Sequence, residues 1–359
     1  MLELIAMGAR TPVGHTAGTS AAAVRARVAR ICEYPFVTQR GEPMVVAIDA
    51  TIPPAIAGPE RMRTLALGAL AEVEHRLAAA TNPYRGAVDL RLALPEARPG
   101  LSETQAAALA EALAGHLRAS GRTVRCEVSG RGHAGVALAL EHAVRDAGAS
   151  SELLTLVLGV DSYLHADTLV WLEQQRMFGP DARSRLIPGE GAGCLALAST
   201  ALRKRLGLRP LARLGGVATA LERRLPGCET GSLGEAMAAA MTRALGQYVL
   251  PRDAVDLTYI DINGERYRSE EWGLAVMRVP AALRTLDYEA PADCWGDVGA
   301  ATGALTAVLA VQAWARGYAR GPRALLVNGS PHGLRGVVVL EAPEEPVESP
   351  KSPQRGATR

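Results

Sequence analysis

Two residues could together supply a nucleophile and its base: Cys126 and His133, on either side of the glycine-containing stretch Ser129–Gly132. A Cys–His dyad needs thiol and imidazole within hydrogen-bond reach, so that the ring can take the proton and leave a thiolate. Cys126 falls inside the alternating segment Arg122–Val128, read as a strand, and would reach the loop only if that loop were remodelled. A small packed thiol is the plainer reading. His133 opens an apolar helical run, where it caps or packs. His165 and His332 stand alone, and Cys32, Cys126, Cys194, Cys228 and Cys294 form no CxxC pair and no zinc spacing, so no metal is expected. Glu265, Arg266, Arg268, Glu270 and Glu271 make a mixed charge run after Asn263-Gly264, which reads as a solvated helix start rather than a carboxylate site. The glycines of GDVGAATG lack the strand and downstream acidic residue of a dinucleotide fingerprint, and no cofactor is expected.

The elements that must position these residues alternate. Leu2–Gly8 reads as a short apolar strand followed by a turn-rich stretch to Gly14. Ser20–Ile31, Met62–Ala80 and Ser102–Ser120 have helical spacing. After Arg122–Val128 and the loop Ser129–Gly132, a helix runs from His133 to Ala147. Leu153–Val160 is a continuous apolar run of strand length, as expected of a strand buried on both faces, and Gly191–Ala198 is another strand. The second half repeats the theme, with strands at Leu211–Thr219, Leu257–Ile262, Arg323–Val327 and Val337–Glu341 and helices at Ser232–Leu245 and Gly303–Ala315. Strands alternating with helices argue an α/β fold. Ala342–Arg359 is rich in Pro, Glu and Ser and is expected to be a disordered tail.

Composition is permissive. At 359 residues and 48% hydrophobic, the chain can bury a large core spread over two domains or a duplicated one. A formal net charge of +2, with charged residues at 21%, gives no reason to expect nucleic-acid binding or membrane steering. No apolar run approaches the roughly 20 residues of a membrane span, and the N-terminus has no basic n-region of a signal peptide. An odd count of unpaired cysteines suits a reducing, cytoplasmic setting.

Six segments in order resemble the β-ketoacyl synthases of the thiolase-fold superfamily. IAMGARTPVG is similar to that family's opening strand and turn, LGVDSYL to its GGVDS-type segment, and IPGEGAGCLAL to its PGEGAG strand. DLTYIDINGE resembles the strand before its His-Gly-Thr-Gly-Thr loop, GDVGAATGALTAVLAV its Gly-His-Thr-Leu-Gly turn and helix, and NGSPHGLRGVVVLE its C-terminal strand, glycine turn and strand. The resemblance implies a thiolase fold with five layers, α-β-α-β-α, and two similar halves, residues 1–200 and 201–341. It also implies a homodimer joined edge to edge through central strands.

The family's chemistry uses a cysteine at a sharp strand-to-helix turn and two histidines that stabilise carbanion and oxyanion. By resemblance the turn falls at Ser129–Gly132, giving Arg131 as the vestigial elbow position. Asn263 stands at the first histidine and Asp297 at the second, and the gate Gly-Phe-Gly-Gly becomes Gly333-Leu334-Arg335-Gly336. Asparagine donates a hydrogen bond but relays no proton near neutrality, and an ionised carboxylate repels a developing oxyanion. Asp297 also reads as an N-cap or turn aspartate, and pairing of Arg335 with Asp297 is expected from both changes falling on segments that meet in the family. Glu190 and Asp161 match family residues and read as structural, satisfying buried N–H groups. The pattern implies a catalytically inactive homologue, a binding or assembly protein, with Arg335, Asn263 and Asp297 as candidate ligand contacts. Stand-alone degenerate synthases with this Thr-Pro start and Gly-Val-Asp-Ser-Tyr segment accompany bacterial type VI secretion components, so a partner in a secretion or acyl-carrier context is implied. Two alternatives stay open: an acyl-transfer or condensing enzyme using Cys126, and an acyl or pantetheine binder without chemistry.

Overall fold

The computed structural model describes residues 1–343 apart from 40, 148–151, 176, 178–184, 226–227 and 229–230. The tail expected at Ala342–Arg359 lies almost wholly outside the described residues. The first half runs β1 (Leu2–Arg10), α1 (Ala17–Arg25), β2 (Ile31–Val37), β3 (Pro43–Ala47), α2 (Gly58–Ala78), β4 (Val88–Leu94) and α3 (Glu103–Ala119). It continues with β5 (Val124–Arg131), α4 (Gly135–Asp146), β6 (Leu154–Ser162), α5 (Ala166–Gln174), β7 (Glu190–Ser199) and α6 (Thr200–Leu206). The second half has β8 (Ala212–Leu221), α7 (Glu235–Ala244), β9 (Leu257–Ile260), α8 (Arg266–Arg278), α9 (Ala292–Trp295), α10 (Thr302–Ala315), β10 (Arg323–Gly329) and β11 (Leu334–Glu341).

Among the described residues nine strands connect in the order β5-β4-β6-β7-β1-β8-β11-β10-β9. The join between β1 and β8 consists of two residue pairs, Glu3 with Arg213 and Leu4 with Ala212, so the strands behave as two sheets hinged at that seam. Helix α4 packs on β4, β5 and β6 on one side and on β8 and β11 on the other, while α10 touches β6 and β7 as well as β9 and β10. These two helices are therefore the middle layer. Helix α10 is almost wholly buried, which explains why its Ala/Leu/Val sequence has no polar face. Helices α2 and α3 cover the outer face of the first sheet, and α7 and α8 that of the second. The result is the five-layer α-β-α-β-α architecture of the thiolase fold.

Local chemistry sets the element ends. Ser102 caps α3 and exchanges hydrogen bonds with Gln105 in a capping box, and Ser199 caps α6, which stops at the left-handed Gly207. Strands β6 and β7 are buried along almost their whole length, as the unbroken apolar run Leu153–Val160 predicts. Several elements differ from the sequence reading; the helix expected at Ser20–Ile31 already ends at Arg25, and Ile31 opens β2. The stretch Ser129–Arg131 is not loop but the end of β5, which hydrogen-bonds to β4 as far as Arg131. The hairpin β2–β3 and strand β4 have no counterpart in it; β4 is masked in the sequence by Asp89 and Arg91, which are buried as an ion pair of 2.7 Å. The charge run after Asn263 is not simply solvated: Glu265, Arg268 and Glu271 are buried on the inner face of α8, while Arg266 and Glu270 face water.

Candidate functional site

The turn from β5 into α4 is as tight as the sequence suggested, but its tip is His133 and not Arg131. Gly130 lies so close to Gly135 that a Cβ would sit 2.2 Å from the Gly135 carbonyl oxygen, and Gly132 takes a φ of 67°. Both positions demand glycine. Ser330 clamps the turn from the β10–β11 connection: its Oγ accepts from the Ala134 N–H at 3.0 Å and donates to the Arg131 carbonyl at 3.2 Å. Arg131 itself points away, to Glu103 at 2.6 Å and the Pro95 carbonyl at 3.1 Å. His133 is left as the side chain that the elbow presents.

The His133 ring meets Asp297. Its Nε2 lies 2.8 Å from one Asp297 carboxylate oxygen and 3.0 Å from the other, and both side chains are almost fully buried. Asn263 donates through Nδ2 to the same carboxylate and to Glu265 Oε2 at 2.9 Å. The Gly299 N–H donates to Asp297 Oδ1 at 2.7 Å, so the aspartate is also the turn-former that the sequence suggested. Burial works against the charged imidazole, yet the Asp297 carboxylate outweighs it and raises the ring's pKa above its ordinary 6.5. Burial likewise opposes ionisation of Asp297, but the His133 charge and hydrogen bond, Arg268 and the Gly299 N–H hold its carboxyl far below 3.8. Both shifts favour the ion-paired form of the two side chains.

Arg268 backs this pair from α8. It is buried, donating to Asp261, Glu265 and the Gly329 carbonyl at 2.7 Å each, with Nη2 3.3 Å from His133 Nε2. The sequence reading missed it as a site residue; the i, i+3 spacing of Glu265 and Arg268 was the available signal. The expected pairing of Arg335 with Asp297 is not formed. Arg335 is fully buried but bonds Glu271 at 2.7 Å and the Ser330 carbonyl at 2.8 Å, because Asp297 already has His133 and Asn263. Nor does Arg335 line the cavity described below. Leu334 is half-buried and pairs with Leu221 across the sheet.

Cys126 sits elsewhere. Its Sγ lies 3.7 Å from the Ala110 carbonyl oxygen, on the α3 side of β5, and burial pushes its pKa up to about 11. A thiol in that setting stays protonated and is a poor nucleophile. Asp161 and Glu190 do accept backbone N–H groups, from Ala300 at 2.9 Å and Asp49 at 2.8 Å. Each also holds an arginine that the sequence reading did not single out: Arg98 on Asp161 at 2.5 Å, and Arg61 on Glu190 at 2.5 and 2.7 Å. His165 is the N-cap of α5, and His332 pairs with Glu96 at 2.5 Å.

In front of His133 opens a cavity of about 440 Å³. Its lining includes the polar Arg98, Tyr163, Tyr267, Arg268 and Asp297 and the largely apolar Trp171, Leu172, Met177, Leu186 and Leu225. Among the described residues there is no cluster of metal-ligating side chains and no helix long and apolar enough to cross a membrane.

This architecture, with a strand-to-helix elbow facing two loop residues across the middle layer, is the thiolase fold of the ketosynthases. The ketosynthase from module 6 of the bacillaene synthase of Bacillus subtilis 168 superimposes with a TM-score of 0.74 at 14% identity, over 95% of this chain and 72% of that one. A type II polyketide ketosynthase bound to its hexaketide and acyl-carrier protein gives 0.75 at 13% identity, over 95% and 98%. A ketosynthase in complex with its chain length factor from Xenorhabdus doucetiae gives 0.73 at 14%, over 95% and 98%. At such identities the likeness is one of fold. No protein-family model and no curated protein matches the sequence.

Proposed function

We propose that this chain is a catalytically inactive β-ketoacyl synthase homologue that serves as a binding or assembly protein. One observation carries the reading: the elbow presents an imidazole tied to a buried carboxylate where condensation needs a thiolate facing two imidazoles. A histidine in that ion pair has its Nε2 proton committed, and Asp297 places negative charge where an enolate would grow. The fold comparisons support a partner role, since two of the similar structures are ketosynthases in complex with a chain length factor or an acyl-carrier protein. A place beside bacterial secretion components is proposed on the sequence resemblance, and co-purification from the native host tests it. A condensing or acyl-transfer role for Cys126 is disfavoured by its raised pKa and its position on the α3 side of the sheet.

The test is intact-mass spectrometry of the purified chain after incubation with acyl-CoA and with acyl-carrier protein bearing an acyl chain. The expected result is an unshifted mass. An acyl adduct that disappears in Cys126→Ala overturns the proposal in favour of a displaced nucleophile. A second reading, a ligand binder without chemistry, is favoured by the cavity, which Arg335 and Leu334 do not fill.

A further inference from the structure

The turn between β10 and β11 contributes Pro331 and His332 to the rim of the cavity. Its backbone is held from beneath, largely by charged groups. Arg268 donates to the Gly329 carbonyl at 2.7 Å, and Asp261 accepts the Gly329 N–H at 2.7 Å. Arg335 donates through Nη1 to the carbonyls of Ser330 at 2.8 Å and Leu334 at 3.2 Å. The Glu222 N–H donates to the Gly333 carbonyl at 2.7 Å. Within the turn the Ser330 N–H donates to the Leu334 carbonyl at 2.8 Å and the Gly333 N–H to the Ser330 carbonyl at 3.0 Å. The carbonyls of Gly329, Ser330, Gly333 and Leu334 are therefore all engaged.

Both arginines lead back to α8. Arg268 belongs to that helix, and Arg335 reaches it through Nε, which donates to Glu271 at 2.7 Å. Arg335 and Glu271 are fully buried, and Glu271 takes a second hydrogen bond from Ser232 at 2.9 Å. Moving the turn outward would strip two buried guanidiniums of acceptors where water does not replace them. An uncompensated buried charge is costly, unlike an exposed ion pair that opens freely. From the turn the hold passes to the elbow. Ser330 Oγ accepts the Ala134 N–H at 3.0 Å and donates to the Arg131 carbonyl at 3.2 Å. The two segments also touch: a Cβ on Gly132 would come within 2.7 Å of the same Oγ.

We infer that Arg335 and Glu271 lock the β10–β11 turn to α8, and that Ser330 carries the lock to the elbow. This side of the cavity rim then stays shut, and the helix, the turn and the segment presenting His133 move as one body. The lock acts whether the cavity is empty or filled. Arg335 and Glu271 are thereby positioning residues for the elbow.

Hydrogen–deuterium exchange of the full chain, resolved to single amides, tests it. In the wild type the amides of Ser330, Gly333 and Ala134 are expected to exchange at least about a hundredfold more slowly than in an unfolded chain. Glu271→Gln is expected to speed exchange at these positions at least about tenfold more than at Leu156 and Leu158 in the middle of β6. Ser330→Ala leaves Arg335 and Glu271 in place, and is expected to release Ala134 while sparing Gly333. Rapid exchange of Ser330 and Gly333 in the wild type overturns the lock. So does Glu271→Gln with turn and elbow still protected, or with β6 accelerated to the same extent, which would report general loosening. Unchanged protection of Ala134 in Ser330→Ala overturns the transmission to the elbow. If Glu271→Gln does not fold, the wild-type rates and Ser330→Ala still decide.

Discussion

His133 and Asp297 form a buried pair whose charges depend on each other. A group whose pKa rises on folding, such as His133, contributes stability that is fully present below its unfolded value near 6.5 and is lost as pH climbs through the folded value. Asp297 is depressed, so its contribution is present above about 3.8 and fades as pH falls toward its folded value. The pair therefore stabilises most between these limits. Asp297→Asn leaves a buried imidazolium without its counter-charge, a loss of about 3–5 kcal/mol. The melting-temperature gap between wild type and Asp297→Asn is expected to be widest between about pH 4 and 6.5 and to narrow above, where His133 can discharge; a gap that widens steadily with pH contradicts the pairing. Thiol chemistry gives a second check. Cys32 and Cys228 are exposed, whereas Cys194 and Cys294 are buried and Cys126 is held protonated by its surroundings. Alkylation of the native protein at pH 7.5, read by peptide mapping, is expected to label Cys32 and Cys228 first; rapid labelling of Cys126 reopens it as a nucleophile.

Among the elements, close crossings of strand and helix decide what the site can be. Gly159 on β6 lies against the turn before α10, where an added Cβ would come within 2.5 Å of the Ala300 carbonyl oxygen and 2.9 Å of a Val136 methyl. Gly159→Val is expected to cost at least about 1–3 kcal/mol by overpacking, read from urea unfolding; an unchanged midpoint means the middle layer is looser than described. The strands and glycine turns that make such crossings were legible in the sequence, because buried strands leave apolar runs and tight turns leave glycines. Helix α10 showed itself for the same reason. The candidate site was less legible. Asn263 and Asp297 could be placed by resemblance, but the elbow tip was set two residues early at Arg131, since β5 keeps its ladder through residues that look like loop. The buried partners Arg98 and Arg61 escaped because a lone arginine in an arginine-rich chain carries no mark of burial. Arg268 left one signal, its i, i+3 spacing from Glu265, which does not by itself separate it from the exposed neighbour Arg266.

For the whole molecule, the two ends of the sheet differ. At the β9 end the segment around Glu289 covers the edge: the Ile260 N–H donates to the Glu289 carbonyl at 3.0 Å and the Glu289 N–H to the Thr258 carbonyl at 2.8 Å. At the other end β5 pairs with β4 on one side alone among the described residues. An uncovered edge is a template for another strand, and edge-to-edge pairing of two copies through β5 is the assembly we propose. Light scattering behind gel filtration at micromolar concentration is expected to give twice the chain mass, falling to the single mass in Arg125→Pro. A monomeric wild type contradicts it.

We propose that this elbow does not condense. The most direct measurement is release of labelled carbon dioxide from malonyl-loaded acyl-carrier protein, in the presence of an acyl-loaded carrier and the purified chain. The expected rate is indistinguishable from the protein-free control, in wild type and in His133→Ala alike. Turnover above that control, lost in His133→Ala or Cys126→Ala, would contradict it and return the chain to the working synthases.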